Sequence, residues 1–204
     1  ETETETETET ETGTDTEGYE VGDTGPASGK IFYDDEADGS DDIAGARYLE
    51  AATSDQSTDQ AWDESEYGQS VSDTSTAIGT GKANTNKIVA ELSYQDLDSA
   101  AKLCDDLNLG SKNDWFLPSK DELNLMYTLR ETIGGFESSY YLSSSQYDYF
   151  KAWSQHFGTS AQSNYSKTEK THVRCGLFDY LSIGRVIRVA ALSEAFSRRS
   201  EFTT

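Results

Sequence analysis

The sequence predicts an α+β domain, on three observations. Strand-like runs come first, helical periodicity fills the middle, and strand-like runs return after Gly134-Gly135. That segregation is unlike the alternating order of a doubly wound sheet. The middle holds Ser119-Lys120-Asp121-Glu122 directly after Pro118, which is a capping box and marks where one helix starts. Finally, only 34% of the 204 residues are hydrophobic, while Gly (16) and Tyr (12) are abundant. A modest core with much loop follows from that mix. The expectation is a mixed fold with three helices and a mainly antiparallel sheet, preceded by an extended Thr-Glu tail. Its parts are an acidic tail over 1–18, one domain over 19–196 and a short C-terminal tail over 197–204.

Residues 1–12 are a perfect Glu-Thr repeat. Its charge and lack of apolar residues describe a chain that cannot fold alone. Strict alternation also puts every Thr on one face of an extended strand and every Glu on the other. A neighbour covering the Thr face, or glycans on the hydroxyls, would order it. Gly29 to Tyr33 and Ala46 to Ala52 read as strands. Residues 53–83 are rich in Ser, Thr, Asp and Gly and read as a long surface loop, with Trp62 and Tyr67 as isolated aromatics. Thr85 to Leu92 and Ser99 to Leu107 have helical periodicity, with Gly110 as a stop signal. The capping box starts a third helix, Lys120 to about Arg130, with Leu123, Met126 and Tyr127 inward. Tyr140 to Ser145, Ala152 to Phe157, Thr171 to Cys175 and Arg185 to Ala191 are the later strands.

The formal charge is -22, and eight of the 38 acids lie in residues 1–18 without a base. Such a field repels phosphate backbones, so nucleic acid is not expected as a partner. It attracts divalent cations or basic partners. No apolar run approaches the ~18 residues of a membrane span, so no membrane insertion is expected. The chain starts on Glu and no signal peptide is read, as expected of a processed form or fragment. Cys104 and Cys175 read either as two buried thiols or as one disulfide; neither has the spacing of a zinc site. An extracellular location favours the bridge.

Around Trp115-Phe116-Leu117-Pro118-Ser119-Lys120-Asp121-Glu122-Leu123 the chain resembles the DUF1566 family, also described as the C-terminal domain of the Legionella collagen-like adhesin. Further matching pieces run in the family's order: Gly22 to Ala27, Gly29 to Tyr33, Ala100 to Cys104, Ser143-Ser144-Ser145, Ala152-Trp153, Phe157-Gly158 and Arg185 to Arg188. The resemblance implies a C-type-lectin-like fold, the broad group that includes formylglycine-generating enzymes. It also implies a binding face built by the C-terminal strands and loops, and an extracellular or cell-surface adhesion role. The chain is similar, too, to the variable proteins of diversity-generating retroelements, in which polar and aromatic positions alternate with a constant frame. One departure is the long interval between Lys167 and Arg185. The closing family element aligns either there or at Val173-Arg174.

Several groups of residues carry candidate chemistry. Tyr147, Asp148, Tyr149, Phe150, Ser154, His156, Asn164, Tyr165, Thr171 and His172 offer rigid aromatic area with adaptable hydrogen bonds, suited to glycan or protein ligands. Their bland alternative is an ordinary polar sheet surface. Trp153 and Phe157, four apart on a strand, read as core, as do Trp115 and Phe116. Asp34, Glu36 and Asp38 before Gly39, with Asp42, resemble the first half of a Ca²⁺ loop, but the twelfth position is Gly45 rather than Glu. A solvated turn is the competing reading. Gly79-Thr80-Gly81-Lys82 lacks the frame of a phosphate loop and reads as a flexible loop. His156 and His172 have no third metal ligand at a matching spacing. Asn164-Tyr165-Ser166 is a sequon, and Thr2, Thr4, Thr6, Thr8, Thr10 and Thr12 are O-glycan candidates. Three functions follow: a non-catalytic binding or adhesion module, a filament or surface-layer subunit that oligomerises through the Thr-Glu strand, and a formylglycine-generating-type enzyme that would need a reactive thiol at Cys175.

Overall fold

The computed structural model describes residues 18–39, 42–43, 45–65, 70–92 and 98–180, with Asp38 described by its backbone alone. The Thr-Glu repeat and the strand expected over 185–191 lie outside these residues, as do Tyr67 and the end of the domain at 196. The described chain is mixed α+β. It runs β1 (Lys30–Asp34), α1 (Asp35–Asp38), β2 (Tyr48–Ala51), β3 (Ser57–Ala61), α2 (Gly81–Leu92), α3 (Ala100–Asp105), α4 (Lys120–Thr128), α5 (Arg130–Ile133), β4 (Tyr140–Gln146), β5 (Lys151–His156), β6 (Gln162–Ser166), β7 (Lys170–Val173) and β8 (Gly176–Asp179).

The expected single sheet is two. β1-β2-β8 form a three-stranded sheet and β3-β7-β4-β5-β6 a five-stranded one. Pairing is antiparallel except between β4 and β7. Three strands go beyond the sequence reading: β3, β6 (Gln162–Ser166) and β8. β3 lies inside the expected loop 53–83, and its neighbour Trp62 is fully buried. Its residues Ser-Thr-Asp-Gln-Ala carry no apolar alternation, because only its Ala61 end reaches the core. β8 lies in the stretch after Cys175 that the pattern left unassigned, and it closes the small sheet against β2.

The three expected helices are α2, α3 and α4; α1 and α5 are single turns of four residues added to them. α2 begins a turn earlier than the apolar periodicity shows, because Gly81, Asn84 and Thr85 form its first buried turn ahead of Ile88 and Leu92. α3 is capped by Ser99, whose side chain accepts from the Lys102 N–H, and it ends at Asp106 rather than at Gly110. Gly110 instead sits at φ +62° in the turn between Leu109 and Lys112. At α4 both halves of the capping box form: Ser119 accepts from the Glu122 N–H, and Glu122 accepts from the Ser119 N–H. Leu123 and Met126 point inward as expected, while Tyr127 is half-buried.

Trp115-Phe116-Leu117 joins two apolar clusters. Trp115 and Leu117 enter one with Trp62, Ile88, Leu142 and Val173; Phe116 enters the other with Phe32, Leu123, Met126, Tyr141 and Phe157. Extended chain alternates its side chains, and Phe116 is indeed bridged to Gly176 by backbone bonds in both directions. Cys104 of α3 and Cys175 are joined by a disulfide with Cα atoms 5.6 Å apart. Next to it, Val173 and Arg174 are buried. Arg174 pairs with Asp55 at 2.6 Å and donates to the carbonyls of Ala52, Gly134 and Gly135. A buried guanidinium needs this full set of partners to offset its desolvation.

Candidate functional site

The β4–β5 connection carries the most exposed large apolar side chains of the C-terminal half up to β8: Phe150 is 64% exposed, Tyr147 50% and Tyr149 45%. Exposure of this kind normally goes with mobility, but here the backbone is held. Asp148 accepts from the Phe150 and Lys151 N–H groups, both at 2.8 Å. This is the local side-chain turn that Asp favours. The Tyr147 and Asp148 N–H groups donate to the Lys151 carbonyl. Tyr149 and Phe150 pack edge to face at 4.8 Å.

The expected polar and aromatic surface divides between two faces. Cross-strand partners share a face, and the β5–β6 register pairs Lys151 with Ser166, Trp153 with Asn164 and Gln155 with Gln162. On this face the Tyr147 ring meets Trp153 at 5.1 Å, Lys120 sits 4.7 Å over the Trp153 ring, and Lys151 donates to Asn164 at 3.1 Å. The opposite face carries Tyr140, His156 and Tyr165. Tyr140 stacks on Tyr165 at 4.9 Å and meets His156 edge to face at 4.7 Å.

Two expected contact residues are not available for contact. Ser154 is 2% exposed and donates to the Ser163 carbonyl; Thr171 is 6% exposed and donates to the Tyr140 carbonyl. Both point into the interior, where a hydroxyl must find a backbone partner. His172 is nearly buried against the Tyr141 ring, with its Nε2 3.6 Å from a Glu137 carboxylate oxygen. It lies away from His156, whose Nδ1 accepts from the Gly158 N–H. Trp153 corrects the sequence reading in the other direction. It shares a face with Phe157, but only Phe157 is core. α4 meets that face at two points: Tyr127 packs on Phe157 at 5.6 Å, and at the other end Lys120 lies over the Trp153 ring. Trp153, Lys120, Lys151 and Tyr140 are thus site residues missed in the sequence. A Lys at the first position of a capped helix was the one available signal.

The acidic loop is internally paired. Asp34 caps α1 and accepts from Arg47 at 3.1 Å, and Glu36 pairs with Arg47 at 3.3 Å. The Asp34 hydrogen bond raises the Arg47 guanidinium above its ordinary range. Asp42 accepts from the Tyr33 hydroxyl at 3.1 Å. Asp38 ends α1. Among the described residues, no group of three or more His, Cys, Asp or Glu could hold a metal ion.

The Gly79-Thr80-Gly81 loop is ordered by the chain itself. Its Gly79 and Gly81 N–H groups donate to one Glu122 oxygen at 2.8 and 3.2 Å, and the Ser119 N–H donates to the other at 2.7 Å. Convergent N–H groups of this kind bind anions, and this nest is filled by an internal carboxylate. Burial pushes that carboxyl up to about 7, against the pull of the N–H bonds. Gly81 is required there, since a Cβ would stand 2.3 Å from Glu122 Oε2.

No family model matches this chain, and no curated protein matches it.

Proposed function

We propose that this chain is an extracellular, non-catalytic binding or adhesion module of C-type-lectin-like type. It presents Tyr147, Tyr149 and Phe150, with Trp153, Lys151 and Asn164 beside them, to glycan or protein ligands. The observation that carries the reading is the combination of large exposure and fixed backbone at Tyr147 to Phe150. Rigid aromatics lose little entropy on binding, and their faces suit both sugar C–H groups and protein side chains. The disulfide supports an oxidising location. It also occupies Cys175, the sulfur that an enzyme of the formylglycine-generating type would need as a thiol.

The test is binding to soluble glycan and protein arrays, followed by the Y147A/Y149A double variant on each hit. At least a ~10-fold loss of affinity, or about 1.4 kcal/mol, is expected with an unchanged melting temperature. Binding that survives the double change intact places the contact surface elsewhere.

A second reading, a filament or surface-layer subunit, has one observation in its favour. Among the described residues β6 ends the five-stranded sheet, and Gln162-Ser163-Asn164-Tyr165-Ser166 contains no Pro and no charge. Natural edges usually carry such protection. A Thr-Glu strand from a second copy suits this edge, since strand addition uses main-chain hydrogen bonds and needs no apolar side chains. An adhesive fibre would use both properties.

A further inference from the structure

The aromatic tip is held from below by one buried cation. Lys167, in the turn after β6, is 1% exposed. Its backbone N–H donates to the Phe150 carbonyl at 2.9 Å, at the distal end of the tip. Its Nζ donates to Gln146 Oε1 at 2.6 Å, at the proximal end. That same oxygen accepts the Val71 N–H at 2.9 Å, and the Gln146 N–H donates to Thr74 at 3.0 Å. The Lys167 carbonyl accepts the Asp63 N–H at 3.0 Å, and the ammonium lies 4.4 Å over the ring of Trp62. Trp62 is itself fixed by its indole N–H on the Ser143 carbonyl of β4. One side chain and its peptide group therefore join both ends of the Tyr147–Phe150 tip to the Trp62–Asp63 segment, and Gln146 ties the proximal end to Val71 and Thr74 as well.

We propose that Lys167 is the positioning residue of the aromatic tip: its buried ammonium and peptide group clamp Gln146 and Phe150, and so preset the side chains that meet the ligand. The inference rests on the binding reading for its purpose, not for its geometry. Residues that set a contact loop before binding lower the ordering cost of association. An ammonium is suited to this because it has three donors on a flexible stem, and in a desolvated setting each donor must be satisfied. Burial pulls the amine down to about 8, with the carboxylates of Asp63 and Asp148 opposing that shift. The lysine is thus kept inside at a cost that a purely structural methionine would avoid.

The test is amide hydrogen exchange on the free protein, so that its outcome is independent of any ligand. In the wild type, the amides of Tyr147, Asp148, Lys151 and Lys167 are expected to exchange through one opening with a common denaturant dependence. In K167M the tip amides should exchange at least ~10-fold faster, while Trp153 and Ser154 within β5 keep their protection. The Trp62 indole N–H resonance should titrate with a midpoint near 8 in the wild type and show no such step in K167M. If K167M does not fold, the Gln146→Leu variant, which leaves the lysine in place, should show the same selective loosening. Independent openings of the tip and Lys167 in the wild type would overturn the proposal. So would tip exchange in folded K167M within about twofold of the wild type. Loss of the clamp with unchanged ligand affinity would refute the positioning role and leave the contact surface standing.

Discussion

Glu122 shows how one side chain can serve two elements. It is the third residue of α4 and completes that helix's capping box, yet the same carboxylate fills the nest that starts α2. The proton linkage has a definite sign. With the carboxyl raised from 4.5 to about 7, the folded chain holds this proton more tightly than the unfolded chain. The group's contribution to stability is therefore greatest below pH 4.5 and falls as pH rises toward 7. Glu122→Gln places an NH₂ against N–H donors and is expected to cost roughly 2 kcal/mol at about pH 5. That penalty should shrink by about pH 8, because the glutamine carries no titrating cost. Urea midpoints at both pH values measure it. A penalty that grows with pH would mean that the three N–H bonds outweigh burial.

Among the elements, the two most informative are the ones whose sequence pattern misleads. β3 has no apolar alternation, and β6 has none either, yet both complete the large sheet. Each lies at an end of that sheet among the described residues, with a described neighbouring strand on one flank. Under the filament reading proposed above, an end strand of this kind is where a Thr-Glu segment would add. Deleting residues 1–12 is expected to abolish any assembly seen by light scattering and electron microscopy, and a peptide of those twelve residues should bind the shortened protein. Assembly that persists after the deletion removes the segment from the mechanism. The helices were the more legible elements. Apolar spacing marked all three longer ones, and Ser119 with Glu122 located the start of α4 to the residue.

For the molecule as a whole, the disulfide is the main covalent constraint. It joins α3 to the segment between β7 and β8 across 71 residues. Closing a loop of that size is worth about 4 kcal/mol in chain entropy. The double change Cys104→Ser, Cys175→Ser should lower the unfolding free energy by roughly that amount in chemical denaturation. A loss under about 1 kcal/mol would show that packing around Trp115 and Leu177 already holds the two segments in place. The tip at Tyr147 lies on the five-stranded sheet, beyond the strands nearest this bridge, so its backbone bonds should survive the change.

The sequence by itself determined the α+β class, the capped start of α4, the core role of Trp115 and Phe116, and the exposure of Tyr147, Tyr149 and Phe150. These are properties of short segments, set by side-chain periodicity, by one cap and by a run of aromatics around an Asp turn. It left open whether Cys104 and Cys175 are joined. Only the tertiary structure decided that pairing, the split into two sheets, the burial of Ser154 and Thr171, and the partly open setting of Trp153. Each of these depends on which distant segment meets a given side chain: Tyr127 of α4 packs on Phe157, Lys120 of the same helix lies over Trp153, and the Tyr140 carbonyl receives the Thr171 hydroxyl. Local spacing tells which way a side chain points, whereas burial is decided by whatever packs on that side.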